Sequence, residues 1–224
     1  IENEATGNSN YSGNGGAISI KKDSTNVKIE INAGTQITEN TFTGNKASRA
    51  GGAIFFYLSE GEFSANQLTF TNNVATSNYG GALYLRATDS SLLTADIGTI
   101  VANGNKASGN GGALYLYKMT GSIDSVTASN NSANNGGAMY IAGSAVIEFG
   151  ELYGSGNTAA TNGGYAYIGT SKTTIHSGEI GENDDATGLE LHVSVSKAAK
   201  INLSKFTFPD GGVNNASYIE NIAE

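Results

Sequence analysis

The chain has 224 residues, with 31 glycines, 26 asparagines, one proline and no cysteine or tryptophan. Without cysteine it cannot form a disulfide scaffold, a cysteine-ligated zinc site or a thiol nucleophile. The net charge of −8, with only 12 basic residues, disfavours binding to nucleic-acid phosphates. No run of 18 apolar residues is present that could cross a membrane as a helix, so direct membrane insertion is not expected.

Residues 1–12 are polar and rich in asparagine, and we expect them to be an N-terminal lead-in that is too short for a firm cap. The chain begins with Ile1 rather than methionine and shows no signal peptide. We therefore expect a fragment of a larger surface protein, folded as a single domain over residues 1–224.

A repeated motif follows this lead-in and returns every 25 to 36 residues. It reads Gly-Gly-Ala and then an apolar residue, and the last two of its seven copies are degenerate. The copies begin at Gly15, Gly51, Gly80, Gly111, Gly136, Gly163 and Gly188. Paired glycines suit a tight corner, where a Cβ would clash or φ is positive. Self-similarity at this period is typical of a solenoid.

A second motif, asparagine-any residue-alanine, precedes each later glycine pair, and the seventh unit has it in a stretched form. Its asparagines are Asn45, Asn73, Asn105, Asn131, Asn157 and Asn183. Equivalent side chains lie over one another in a stacked solenoid, so these residues are predicted to form a ladder that stabilises the turns. A ligand-binding role for the column is the less favoured alternative.

Each glycine pair is followed by alternating residues, as in Leu83-Tyr84-Leu85, with the period of two that indicates a β-strand. A second alternating run lies in the middle of each unit, and a third short run leads into the asparagine. Three short strands per unit favour an all-β fold, a parallel β-helix (β-solenoid) of about seven coils. We expect coils over residues 13–208 and a C-terminal cap or tail over residues 209–224.

The combination of Gly-Gly-Ala-(Ile/Leu) with Phe-x-x-Asn, as in Phe42-Thr43-Gly44-Asn45 and Phe70-Thr71-Asn72-Asn73, resembles the repeat of the chlamydial polymorphic membrane proteins. Related bacterial surface β-helices have similar repeats. The resemblance covers roughly residues 13–193. It implies a right-handed β-helix, exported by autotransport and displayed on the bacterial cell surface, mostly for adhesion.

Alternation also places side chains on the outer wall, where seven of the eleven tyrosines gather on one face beside a groove of small residues such as Ala82 and Ala113. The residues predicted to bind a partner are Phe55, Tyr57, Tyr84, Arg86, Tyr115, Tyr117, Tyr140, Tyr165 and Tyr167. A contiguous exposed aromatic surface usually marks a binding site, and the partner expected here is a glycan or a host-cell surface protein. The alternatives are rings that only support one another, and packing against further domains of the parent chain.

Catalytic motifs are absent, and we expect neither a catalytic site, a metal nor a cofactor. His176 and His192 lie in different units and have no nucleophile motif nearby. Because a β-helix can carry a polysaccharide lyase or glycoside hydrolase, a carbohydrate-active enzyme is an alternative. Its candidate carboxylates are Asp89, Asp124, Glu148 and Glu151. Alternation would place the last two on opposite faces of one strand.

The sequence thus favours a non-catalytic, extracellular module of a bacterial surface protein that acts in adhesion or as a spacer. Besides the carbohydrate-active enzyme, a purely structural stalk is the second alternative. The expected partners are a glycan or a host-cell protein and further domains of the parent chain, with no nucleic acid.

Overall fold

The computed structural model describes residues 2–6, 13–21, 27–31, 40–59, 61–88, 93–169, 171–185, 190–193, 200–203, 206–207, 213–214 and 219–221. Every helix or strand among these residues is a β-strand, and strands of successive turns pair in parallel. The expected all-β parallel solenoid is therefore confirmed. No described segment is a helix suited to cross a membrane.

The strands form three sheets, one for each side of the coil. The short-strand sheet contains β1 (Glu4–Ala5), β5 (Lys46–Ala47), β8 (Val74–Ala75), β11 (Lys106–Ala107), β14 (Ser132–Asn135) and β17 (Thr158–Asn162). The GGA sheet, which follows the glycine pairs, contains β2 (Ile18–Lys21), β6 (Ile54–Leu58), β9 (Leu83–Ala87), β12 (Leu114–Tyr117), β15 (Met139–Ala142), β18 (Ala166–Ile168), β20 (Leu191–Val193) and β23 (Val213–Asn214). The long-strand sheet contains β3 (Val27–Ile31), β4 (Asn40–Thr43), β7 (Gly61–Thr71), β10 (Leu93–Asn103), β13 (Met119–Ser129), β16 (Ala145–Gly154), β19 (Ser171–Ile180), β21 (Lys200–Leu203), β22 (Phe206–Thr207) and β24 (Ile219–Asn221).

The number of turns differs slightly from the seven coils expected. Five consecutive turns, from β5 to β19, have a strand in each sheet and are described almost without a gap. Strands of further, partly described turns flank them on both sides. The core is the shaft enclosed by the three sheets, where equivalent aliphatic residues such as Leu83 and Leu114 stack in register and are fully buried.

The long strands correct the expectation of three short strands per coil. The second and third alternating runs are one strand of 10 or 11 residues in β7, β10, β13, β16 and β19. Alternation changes phase in the middle: in β10, Gly98 and Thr99 are both half-buried between buried Ile97 and Ile100. A Cβ on Gly98 would lie 2.4 Å from the carbonyl oxygen of Asn66 in the preceding turn. The strand therefore bends here while its pairing continues on both sides.

The corner before the GGA sheet requires two glycines for different reasons. Gly51 has φ of +62°, in the left-handed region that favours glycine. A Cβ on Gly52 would lie 1.9 Å from the carbonyl oxygen of Gly81 in the next turn, and the same close approach recurs at Gly81 and Gly112. The glycine pair thus sets both the turn and the distance between coils.

The residue after the glycine pair faces the core. Two successive amides, those of Ala53 and Ile54, donate to the carbonyl oxygen of Ala82 at 3.0 and 2.9 Å. This bend interrupts alternation, so the alanine and the aliphatic residue after it both point inward. The prediction of a groove of small residues on the outer wall is therefore wrong. The alanines assigned to that groove are fully buried in the core: Ala53, Ala82, Ala113 and Ala138.

Candidate functional site: an aromatic stripe on the outer wall

The six predicted asparagines lie in one hydrogen-bonded column. In each step the backbone N–H and the side-chain Nδ2 of one asparagine both donate to Oδ1 of the next, at 2.7–3.0 Å. Asn105 also donates from Nδ2 to the carbonyl oxygen of Phe70. The five members from Asn45 to Asn157 are at most 1% exposed. The column therefore supplies hydrogen bonds to the backbone of the turns inside the solenoid. These five side chains are not accessible to an external ligand.

Both ends of this column contain a residue that the sequence analysis missed. At the N-terminal end, Asn3 donates from its backbone and side chain to Oδ1 of Asn45, and β1 pairs with β5. Part of the stretch expected to be a lead-in thus belongs to the first coil. Asn3-Glu4-Ala5 has the asparagine-any residue-alanine motif, and this motif could have identified Asn3 as a member of the ladder. At the other end, Nδ2 of Asn183 donates to the carboxylate of Glu190 at 2.8 Å.

A second, shorter column of asparagines was also missed. Nδ2 of Asn135 donates to Oδ1 of Asn110, and Nδ2 of Asn162 donates to Oδ1 of Asn135, at 3.0 and 3.3 Å. All three residues stand directly before a glycine pair, so their equal position in the repeat was the available signal.

The outward positions of the GGA sheet form a continuous stack of rings. Neighbouring ring centroids are 4.8–5.3 Å apart, and the ring planes differ by at most 17°. The rings are Phe55, Tyr84, Tyr115, Tyr140, Tyr167 and His192. The spacing follows from the rise of about 4.8 Å between paired strands, which is close to the distance that stacked rings prefer. We call this stack, with its flanking residues Tyr57, Tyr79, Arg86 and Tyr117, the aromatic stripe.

The flanking residues widen the stripe near its middle. Tyr79 stacks on Tyr115 with centroids 4.8 Å apart, and Tyr117 lies 5.9 Å from the same ring. The guanidinium carbon of Arg86 lies 5.4 Å from the ring centre of Tyr57 and 4.9 Å from that of Tyr117. An arginine held between two rings in this way has few alternative positions. Tyr79 was not predicted as a site residue; it too stands directly before a glycine pair.

The rings of the stripe are not equally accessible. Tyr84 and Tyr115 are only 6% and 4% exposed, whereas Tyr117, Tyr140 and Tyr167 are half-buried. Burial raises the pKa of Tyr84 and Tyr115, and it raises the pKa of Tyr140 to about 12. These three phenols are therefore protonated at neutral pH, and a partner would meet neutral, amphipathic rings.

Tyr165 is the predicted stripe residue that the structure places elsewhere. It is fully buried in the core, and its hydroxyl donates to the carbonyl oxygen of Tyr153 at 3.0 Å. It occupies the inward alanine position after the glycine pair Gly163-Gly164. The prediction was wrong because strict alternation was counted across the corner, where the chain bends.

The candidate carboxylates of the enzyme alternative are distributed over the outer wall. Glu148 and Glu151 are both exposed on the same face of β16, which corrects the expectation of opposite faces. The phase change at Gly150 between them is the reason. Glu148 contacts the ring of His176, and Asp124 is exposed on the neighbouring strand β13. Asp89 lies outside the described residues.

Comparisons with known proteins agree with the repeat pattern. A family model of the Chlamydia polymorphic membrane protein repeat matches residues 41–57 and 67–86. The chain is also similar to a probable outer membrane protein, pmp6, of Chlamydia pneumoniae, with 33% identity over 207 residues, which covers 78% of this chain. The chain spans 15% of that protein's length. No solved structure matches.

These matches fall on the features described above. Residues 41–57 contain the ladder residue Asn45 and the glycine corner at Gly51, and residues 67–86 contain Asn73 and the corner at Gly80. The description of the relative as an outer membrane protein bears out the location expected from the sequence, the bacterial cell surface. The chain carries repeats of the chlamydial polymorphic membrane protein type.

Proposed function

We propose that this solenoid is a non-catalytic binding module of a surface protein, and that it docks a host glycan or a host-cell protein along its aromatic stripe. The observation that supports the proposal most is the continuous stack of six rings on one outer wall, flanked by half-buried tyrosines and an arginine. Because the chain is similar to an outer membrane protein, we expect this wall to face the exterior of the cell.

The physical reason lies in the rigidity of the stripe. Tyrosine and arginine supply much of the binding energy in protein interfaces, because they offer large amphipathic contact area. Rings that are already fixed by their neighbours lose little side-chain entropy when a partner binds. The hydroxyls of the half-buried Tyr117, Tyr140 and Tyr167 can form hydrogen bonds with a glycan or a peptide at the same time.

A role as a structural spacer is the second candidate, and the burial of Tyr84 and Tyr115 favours it. Stacked pairs contribute roughly 0.2–1 kcal/mol each, so the central rings stabilise the fold whether or not a partner is bound. In that case the stripe would continue into neighbouring repeats of the parent protein and would bind nothing.

The two candidates differ in what substitutions of accessible rings do. The wild-type fragment would be tested for binding to cultured epithelial cells and to a glycan array, together with Tyr117→Ser, Tyr140→Ser and Tyr167→Ser. The control is Tyr153→Ser, which removes an exposed tyrosine from the long-strand sheet. We expect the stripe variants to lose binding while the control keeps it, with all proteins folded by circular dichroism. Binding that is absent in the wild type, or equal in all variants, would support the spacer.

A further inference from the structure

A recess of about 280 Å³ lies at the N-terminal end of the aromatic stripe. Phe55, Tyr57, Tyr79 and Tyr84 line it on the aromatic side. The recess spans the first three turns, because Lys21, Tyr57 and Arg86 are successive partners in the GGA sheet. Its volume is close to the lower end of the roughly 300–1,000 Å³ of small-molecule pockets, which is enough for one sugar residue.

The recess exists because two columns lose their rings in the first turns. Phe55 stacks on Tyr84 on one side, but on its other side the register partner is Ser19. Tyr79 stacks on Tyr115, and the position equivalent to Tyr79 one turn earlier is Ala50. Serine and alanine therefore stand where a further ring would continue the stack, and both Phe55 and Tyr79 line the space that is left.

The described charged residues that line the recess are all basic. Arg49 and Arg86, the only arginines of the chain, both line it together with Lys21, although the chain has a net charge of −8. Among the described residues that line it there is no carboxylate. Arg86 is held between the rings of Tyr57 and Tyr117. Arginine binds a carboxylate through two parallel hydrogen bonds, which a lysine cannot do.

We propose that this recess binds a sugar residue that carries a carboxylate, such as a sialic or uronic acid. This inference rests on the proposed function and names the chemical class of its ligand. The aromatic rings that line the recess suit the apolar face of a pyranose, and the arginines suit its carboxylate. A densely charged polyanion such as heparin fits less well, because the remaining surface is acidic and repels it.

The test is binding of small oligosaccharides to the fragment by saturation-transfer NMR and calorimetry. The probes are 3′-sialyllactose, a hyaluronan tetrasaccharide, neutral lactose and heparin. We expect millimolar binding of one or both carboxylated sugars and at least about tenfold weaker binding of lactose. The first two probes distinguish a sialic from a uronic acid. Equal affinity for lactose, a preference for heparin, or no binding of either acidic sugar would overturn the proposal.

Variants separate this inference from the proposed function. Arg49→Gln is expected to weaken binding of the acidic sugar at least about tenfold. Lys106→Gln removes the same charge at an exposed position of the short-strand sheet and should leave binding unchanged. Ser19→Tyr should extend the stack over Phe55, keep the fold and abolish sugar binding by filling the recess. Undiminished sugar binding in either recess variant would contradict the assignment. If cell binding falls in Tyr140→Ser but not in Arg49→Gln, the proposed function stands and this inference fails.

Discussion

Asparagine is the side chain that the ladder position requires. Each member must accept two hydrogen bonds from the preceding turn and donate to the next, within a column that excludes water. Aspartate could not donate, and glutamine is one methylene too long for the same spacing. A buried donor that loses its acceptor costs about 1–3 kcal/mol.

Asn105→Ala is therefore expected to lower the free energy of unfolding by about 3 kcal/mol or more, because both donors of Asn73 would lose their acceptor. The measurement is urea unfolding followed by circular dichroism. The matched control is Asn110→Ala, in the second column, where a half-buried side chain accepts one hydrogen bond from Asn135. We expect the control to lose about 1 kcal/mol. Equal losses would contradict the role assigned to the ladder.

Glu190 ends the ladder with a carboxylate at a position where five other units have a buried alanine or tyrosine. It is 3% exposed, accepts from Asn183, and burial raises the pKa of its carboxyl group. Because the pKa is higher in the folded than in the unfolded state, protonation favours folding. This contribution is present at acidic pH and is lost as pH rises through the folded-state pKa.

Glu190→Gln is expected to be more stable than the wild type at pH 7. The difference should shrink as pH falls through the raised folded-state pKa and be smallest below the ordinary glutamate pKa of about 4.3. Unfolding curves at several pH values would measure this, with the exposed Glu151→Gln as the control. A pH-independent difference, or a variant less stable at pH 7, would contradict the raised pKa.

At the scale of the element, the glycine corner determines which side chains face inward. The motif let the strands, the ladder and most of the outward stripe be predicted from the sequence, because these depend on residues at constant spacing. Tyr165 and the pair Glu148 and Glu151 were misplaced, because alternation was extended through backbone bends. Those bends are visible only in hydrogen bonds, such as the two amides that share the carbonyl of Ala82.

Gly112→Ala tests the close approach at this corner. Its Cβ would lie 1.9 Å from the carbonyl oxygen of Gly137, which belongs to the backbone and cannot move without displacing the next turn. We expect a loss of about 3 kcal/mol in the free energy of unfolding, at the upper end of overpacking costs. The exposed Ser108→Ala, four residues earlier on the same turn, should change it by less than about 0.5 kcal/mol. A Gly112→Ala protein of wild-type stability would show that the turns are not this close.

At the scale of the whole molecule, the stacking of coils repeats similar surfaces along the axis of the solenoid. Columns that run along the axis produce the buried ladder and the aromatic stripe together, and a change of residue in one turn produces a local feature. The recess is such a feature, and the sequence analysis did not find it. Ala50 lines it, and Ser19 is the register partner of Phe55; both are small residues at positions where other turns have a ring, so the repeat motifs alone do not reveal the space.

The in-register stacking of turns can be measured with paired cysteines, since the chain has none of its own. Val101 and Thr127 are register partners on the outer face of β10 and β13. At about 4.8 Å between strands, Val101→Cys with Thr127→Cys satisfies the Cα distance of a disulfide, whereas Val101→Cys with Ser125→Cys, displaced by two residues, exceeds about 7 Å. We predict rapid oxidation to a disulfide in the first pair and little in the second. Equal oxidation of both pairs, or preferential bridging of the displaced pair, would contradict the stacked register on which the ladder, the stripe and the recess all depend.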